Sequence, residues 1–408
     1  MKLIGPFTQI ITMDHLPLKG GISDGKLEVI NDGGVLVNDD KIVEVGFFSD
    51  FKKEYPTAEI EGIESGHILL PGFVDAHTHI CWAGTRATDF AMRNAGKSYL
   101  DISESGGGIW STVLKTREAN QAYLAHGIRE RARKMLHKGI TTIEVKSGYG
   151  LNYPDELKML RAIREVADEK WVDLVPTCLA AHLKPRDFEK STSAYLDFIL
   201  SELLPVVKKE RLSNRVDIFT ERTAFSVDES WNYLESAKKM GFDITVHADQ
   251  FTPGGSILAA RLGAVSADHL ESSGDAEIKA LADSNTVAVA LPGASIGLGE
   301  PFAPMRKLLD RGACVAIASD WNPGSAPIGD LVTAASILAT YQKITTAEVF
   351  AALTYRAAYS LKLQDRGVLR KSMIADFQAY PTADYRDILY HQGQLSPDLV
   401  WKNGKMIS

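Results

Sequence analysis

The chain of 408 residues is predicted to be an α/β protein: a (β/α)8 TIM-like barrel with a small β-sandwich domain formed from the N- and C-terminal segments. Three observations predict this. From about residue 72 to residue 363, eight short apolar segments alternate with helix-like stretches. The first ~70 and last ~40 residues instead carry short strands punctuated by hairpin turns. The side chains with metal-binding or acid–base chemistry fall at the C-terminal ends of the eight segments, where barrel enzymes gather their reactive groups.

The elements follow in order. "GGVLVNDDKIVEVG" is two apolar strands around Asn38-Asp39-Asp40, a hairpin signal. The eight barrel strands are expected at 73–77, 141–146, 172–180, 216–220, 243–247, 265–269, 286–291 and 314–319. They are rich in Val, Ile and Ala and almost continuously apolar, as parallel strands covered on both faces should be. A helix over 154–169 is marked by Leu157, Leu160, Ile163, Val166 and Ala167. Capping boxes Ser226 to Glu229 and Thr345 to Glu348 open two more. Gly139, Gly241, Gly263 and Gly312 each stand between a helix and a strand, where a left-handed residue is expected. "GVLRKSMIADFQAY" and "LVWKNGKMI", with a turn at Asn403-Gly404, return the chain to β structure. The expected division is a composite terminal domain, 1–70 with 364–408, and a barrel over 71–363. A doubly wound sheet is the competing architecture.

Composition excludes several function classes. A formal charge of −7 and short basic runs such as Lys52-Lys53 and Lys208-Lys209 give no nucleic-acid patch. "MKLIGPFTQIITMDH" is too polar for a signal segment, and no apolar run reaches the ~18 residues a membrane helix needs. Cys81, Cys178 and Cys314 are odd in number and far apart, which fits a reducing cytoplasm. Cys81, two residues after His79, reads better as a small buried hydrophobe than as a ligand.

The chemistry centres on "GFVDAHTHICWAGTR". His77 and His79 are spaced i and i+2, so a strand points both imidazoles the same way. Alone, this pair reads as two satisfied polar histidines. His247 after the fifth strand and Asp320 after the eighth change the odds. Three imidazoles and a carboxylate suit one zinc or iron ion with an open position for water. Such an ion lowers the pKa of its water towards ~7. His269 is a fifth ligand or, preferably, a donor to the activated water or a carbonyl oxygen. Asp320 suits both ligation and proton transfer from water to a leaving nitrogen. "IASDWNPGSAP" equally reads as a turn capped by Asp320. Arg86 suits capture of a carboxylate, although surface arginines are commoner. "SESGGGIWST" lacks a P-loop lysine and reads as a flexible active-site loop. Glu221 is a ligand or an ion-pair partner, and Lys146 a carbamate carrier or a paired cation. The residues alone separate neither.

"LLPGFVDAHTH", "VHADQ", "SADHL", "IASDWNPG" and "DRGVLRKSMIADF" together resemble the amidohydrolase superfamily of metal-dependent hydrolases. "HTHICWAGTR", "GGGIWST", "EVKSGYGL", "AAHLKP", "VHADQF" and "SDWNPGSAP" are similar to the branch that acts on imidazolonepropionate in histidine degradation. The resemblance implies one zinc or iron ion per subunit, held by His77, His79, His247 and Asp320. It implies substrate contacts at Arg86, Tyr149, His182, Gln250, Asn322, Gly324 and Ser325. It further implies opening of the ring amide by a metal-activated water, with Asp320, His269 and Gln250 as catalytic groups. Gln250 departs from the glutamate of several members and orients a ring rather than shuttling a proton. Ser325 replaces a threonine of some members without loss of its hydroxyl. A deaminase of the same superfamily is the main alternative, and it typically needs that glutamate. A non-catalytic scaffold is the remaining one, disfavoured by the complete ligand set. A homodimer is the expected assembly.

Overall fold

The computed structural model describes residues 1–98, 101–102 and 105–407. Residues 103 and 104 of the Gly-rich stretch lie outside the described residues. The terminal segments share one mixed sheet. It contains β1 (Lys2–Ile11), β2 (Val29–Asn38), β3 (Lys41–Phe47), β4 (Glu59–Gly62) and β5 (Ile68–Pro71). β1 pairs antiparallel with β2 and parallel with β4 and β5, and β2 pairs antiparallel with β3. The β2–β3 hairpin turns through Asp39 at φ 54°, a left-handed position that short polar side chains tolerate.

The barrel follows in chain order. Its strands are β6 (Phe73–Asp75), β7 (Ile140–Lys146), β8 (Asp173–Ala181), β9 (Arg215–Thr220), β10 (Asp243–Ala248), β11 (Ser266–His269), β12 (Val287–Ala290) and β13 (Val315–Ile317). Neighbours in sequence are neighbours in the sheet, all parallel, with no reversal of strand order. That sequential order removes the doubly wound alternative. Every residue of β6, β7 and β12 is buried, as parallel strands covered on both faces should be.

The helix between β7 and β8 spans Tyr153–Ala167. Asn152 caps it by accepting from Asp155 N at 2.8 Å, and Pro154 stands in its first turn. Both expected capping boxes form. Glu229 returns a carboxylate to Ser226 N at 3.0 Å, and Glu348 returns one to Thr345 N at 2.9 Å. Among the described residues no helix is long and apolar enough to cross a membrane.

After the barrel the chain re-enters the terminal sheet through β14 (Phe377–Tyr380), β15 (Leu399–Lys402) and β16 (Lys405–Met406). β14 pairs antiparallel with β5 and with β15. The strand expected across "GVLRKSMIADFQAY" narrows to its last four residues, because Gly367 at φ 82° and Ser372 at φ 71° break the extended run. The β15–β16 turn does form at Asn403 and Gly404. Leu69, Phe7, Phe377 and Trp401 fill a core separate from the barrel's.

The first and last barrel strands end two residues short of the sequence expectation, at Asp75 and Ile317. Beyond them, the chain closes the barrel by hydrogen bonds outside the ladder. Asp320 N donates to His77 O at 3.0 Å, and His79 N donates to Trp321 O at 3.1 Å. A parallel bridge pairs Thr78 with Trp321. The seam of the barrel is thus made by the segments that carry His77, His79 and Asp320.

Candidate active site

The i, i+2 spacing works as the sequence suggests, although both histidines stand just past the strand. His77 Nε2 and His79 Nε2 approach to 3.3 Å. From β10, His247 Nε2 comes within 3.4 Å of His79 Nε2. From beyond β13, Asp320 Oδ1 lies 3.3 Å from His79 Nε2 and 3.5 Å from His77 Nε2. The three imidazoles therefore gather round one point in a buried site, with the Asp320 carboxylate beside two of them. A tetrahedral ion with bonds of ~2.0–2.1 Å separates its ligand atoms by roughly 3.3–3.4 Å, so the spacing suits such an ion. Asp320 Oδ1 has no hydrogen-bond partner, which leaves it available as a donor to that ion.

The protonation states agree. Burial lowers His77 well below its ordinary value, His79 to about 3 and His247 to about 4. All three are neutral bases near pH 7, as metal ligation requires.

A buried ionic network aims these rings. His77 Nδ1 lies 2.6 Å from Asp268 Oδ2, and His247 Nδ1 lies 2.9 Å from Asp217 Oδ2. Each contact directs the opposite ring nitrogen, Nε2, to the centre. Lys146 Nζ stands among the carboxylates, 2.7 Å from Glu144 Oε1, 2.8 Å from Asp217 Oδ2 and 3.9 Å from Asp268 Oδ2. Burial opposes its charge, but Asp217, Glu144 and Asp268 outweigh burial and raise its pKa. Lys146 is accordingly a paired ammonium. Carbamate formation would need the neutral amine that this environment disfavours. Glu144 also accepts from Thr78 N at 3.2 Å and so braces the residue between the two histidines.

The centre opens into a cavity of about 610 Å³. His182 donates from Nδ1 to Gly148 O at 3.0 Å if that nitrogen carries the proton, which leaves Nε2 as an acceptor. Burial lowers its pKa well below 6.5, so the ring is neutral. Its face stacks on His79 at a centroid distance of 5.5 Å. Tyr149 borders both rings, and burial raises its phenol's pKa, keeping it a donor. His269 ends β11 at φ 88°, a strained backbone position for a non-glycine residue. Burial opposes its charge, but Glu271 and Asp320 outweigh burial and raise its pKa.

The loop after β13 binds itself together through Asn322. Its amide donates to Asp320 Oδ2 at 2.9 Å and Ser325 Oγ at 2.8 Å, while its oxygen accepts from Gly324 N and Ser325 N, each at 2.8 Å. This fixes Asp320 Oδ2 and turns Oδ1 towards the histidines. Arg86 Nη1 packs on Gly324, where an added Cβ would lie 3.1 Å from it. Its Nε pairs with Asp89, which also accepts from Gly108 N at 2.8 Å. Arg86, Tyr149, His182, Gln250, His269, Asn322, Gly324 and Ser325 therefore share one cavity with the converged donors.

Glu221 is not directed at the donor centre. Its carboxylate accepts from Phe251 N at 2.9 Å, Thr252 N at 3.0 Å and Thr252 Oγ1. It holds the loop that carries Gln250. The sequence reading missed Asp217, Asp268 and Glu144, which look like ordinary strand residues until the barrel closes. Their signal was polar residues placed inside apolar strands, two of them just upstream of Phe219 and His269. It also missed Asp89 and Arg93, three and seven residues after Arg86 and so near the same helical face.

A model described as "Amidohydrolase family" matches residues 68–407. An imidazolonepropionase from Fusobacterium nucleatum is 41% identical over 93% of this chain and 93% of its own length. One from Bacillus cytotoxicus is 40% identical over 98% of this chain and 94% of its own. Among solved structures, guanine deaminase from C. acetobutylicum covers 100% of both chains at TM-score 0.73 and 15% identity. A zinc complex of atrazine chlorohydrolase from Arthrobacter aurescens gives TM-score 0.71 at 16% identity, over 100% of this chain and 95% of its own. At such low identity these two structures show the fold alone.

Proposed function

The chain belongs to the amidohydrolase family, and from that premise we propose the reaction and the residue roles that follow. It is a hydrolase acting on a cyclic amide. It opens the ring amide of 4-imidazolone-5-propanoate to N-formimidoyl-L-glutamate, the reaction of the imidazolonepropionases it matches over nearly its whole length. One geometric observation carries the reading. A cluster of three neutral imidazoles, with the Asp320 carboxylate 3.3 Å from His79, opens through His79, His247 and Asp320 on the same cavity as Arg86, whose guanidinium suits a carboxylate tail.

We assign His77, His79, His247 and Asp320 to one zinc or iron ion per chain. When bound, the ion supplies a water activated near neutral pH and polarises the ring carbonyl. The other roles fall to the chain's own side chains. Arg86, held by Asp89, binds the propanoate. His182 Nε2 accepts from a ring N–H, and the Tyr149 hydroxyl and Gln250 amide orient the ring. His269 donates to the oxyanion that develops as water oxygen bonds to the carbonyl carbon. Asp320, whose pKa burial raises, takes up the water's proton and passes it to the ring nitrogen as the C–N bond breaks. Asn322, Gly324 and Ser325 hold the loop that aims Asp320 and shape the wall around the tail.

Gln250 weighs against a deaminase, because a neutral amide cannot protonate a leaving amine. Three buried free cysteines suit a reducing cytoplasm, and a homodimer is the proposed assembly. The division into a composite terminal domain, 1–70 with 364–408, and a barrel over 71–363 belongs to the same proposal.

The test is turnover of fresh imidazolonepropionate by protein of known metal content, beside Asp320→Asn. Loss of ring absorbance with appearance of formimidoylglutamate, in the wild type only, is the expected result. Fully metal-loaded protein without turnover would overturn the substrate. Chelation should abolish turnover, and added zinc or iron should restore it.

A further inference from the structure

Arg93 lines the same cavity as Arg86. It lies near the end of the helix Ala87–Asn94 that Arg86 opens. Its Nη1 donates to Gly297 O at 2.7 Å, and its Nη2 approaches Gly324 O at 3.5 Å. Arg86 Nη1 packs on the same glycine. Two guanidiniums thus flank Gly324, the residue next to Ser325.

The charges around them do not balance. Asp89 pairs with Arg86 through Oδ2, the oxygen that also accepts from Gly108 N. Arg93 donates to carbonyl oxygens and, among the described residues, hydrogen-bonds no carboxylate. Burial, with the charge of Arg86 second, lowers its pKa. A half-buried pair of like charges with one shared carboxylate is stabilised by an added anion. The cavity supplies a place for one.

We propose that Arg93 is the second cation of a carboxylate clamp, so that the acid group of the ligand lies between Arg86 and Arg93 beside Gly324. This rests on the cyclic-amide reading for the identity of the substrate. The clamp itself concerns any planar ring bearing a short acid tail. Arg93 also ties the helix to Gly297, so it is a binding residue and a brace of the cavity rim at once. The two roles separate in experiment.

The probes are 3-(imidazol-4-yl)propanoate and its carboxamide, neither of which has an amide ring to open. Their affinities are measured by calorimetry on wild type, Arg93→Met and Arg93→Lys, all with matched metal content and melting temperature. Loss of one charge-assisted pair is expected to weaken the acid by about 10- to 100-fold. The carboxamide should bind all three proteins alike, and lysine should recover part of the loss. With imidazolonepropionate the methionine variant should raise KM by a similar factor and leave kcat within a few-fold. Equal weakening of acid and carboxamide would reduce Arg93 to a structural brace and overturn the proposal. So would unchanged affinity for the acid, or failure of the acid to bind wild type. If wild type binds the acid through Arg93 but does not turn over imidazolonepropionate, the substrate reading falls and the clamp stands.

Discussion

Replacing Lys146 with methionine tests the claim that one buried ammonium aims the donor centre. The side chain is 1% exposed, and the carboxylates of Glu144 and Asp217 beside it are 0% exposed. Removing the cation leaves buried negative charge uncompensated, at a cost of about 3–5 kcal/mol. Unfolding entropy of roughly 2.1 cal/mol/K per residue gives about 0.86 kcal/mol/K for a chain of 408 residues. The melting temperature should therefore fall by about 3.5–6 °C. Asp217 and Asp268 contact His247 and His77, so disturbing them should also weaken the ion by about 10- to 100-fold. Thermal melts and metal analysis after dialysis against a weak chelator read the two effects. The double variant Lys146→Met/Asp217→Asn removes the excess charge and should recover part of the melting temperature. A single variant that melts within about 1 °C of wild type and keeps its metal would refute the argument.

Other expectations are more local. Arg86→Ala should raise KM for imidazolonepropionate by about 10- to 100-fold with a smaller change in kcat, as steady-state kinetics would show. Glu221→Ala leaves the N–H groups of Phe251 and Thr252 without their acceptor. The cost is about 1–3 kcal/mol, or about 1–3.5 °C in a melt, with a rise in KM as the Gln250 loop loosens. His67 pairs with Asp398 at 3.0 Å; burial works against its charge, but that hydrogen bond and the Glu64 carbonyl outweigh it and raise its pKa. A raised folded pKa gives stability that is complete below the unfolded value of about 6.5 and is lost as pH rises through the higher folded one. The melting-temperature gap between wild type and Asp398→Asn should therefore be wider near pH 5.5 than near pH 8.5. A gap that widens with pH would reverse the assignment.

Much of the fold was legible because barrel strands advertise themselves. The run at residues 140–146 is apolar or β-branched at most positions, and β7 is buried throughout. Strand ends were less legible where closure overrides propensity. His77 looks like the last residue of a strand, but the seam replaces the ladder there with bonds from Asp320 and Trp321. At the site, histidines and the "SDWNPGS" turn were readable because few other roles explain them. Glu144, Asp217 and Asp268 were not, since a lone carboxylate in a strand says nothing until Lys146 is seen between them. Asp89 was hidden for a similar reason: its partners, Arg86 and Gly108, are on opposite sides of a loop connection that the sequence does not fold for the reader.

A second buried lysine shows how the ends of the barrel divide their tasks. Lys402, in β15, is 3% exposed at its side chain and reaches Asp173 and Asp376 at 2.8 Å each. Asp173 is the first residue of β8, at the end of the barrel away from His77 and Asp320. Arg366 pairs with the same Asp173 and donates to Thr142 Oγ1 at 2.8 Å. The terminal sheet is therefore fastened to the face where strands begin, and the chemistry sits where they end. Lys402→Met strands Asp376, 2% exposed, with the Asn403 N–H at 2.8 Å as the one remaining donor to its side chain among the described residues, while Asp173 keeps Arg366. The stability cost should match that at Lys146, about 3–5 kcal/mol, because the physics of an uncompensated buried carboxylate is the same. The functional result should differ: kcat/KM and metal content within about twofold of wild type at temperatures well below the melt. If Lys402→Met lowers metal affinity as Lys146→Met does, the two ends are mechanically coupled and this division of labour is wrong.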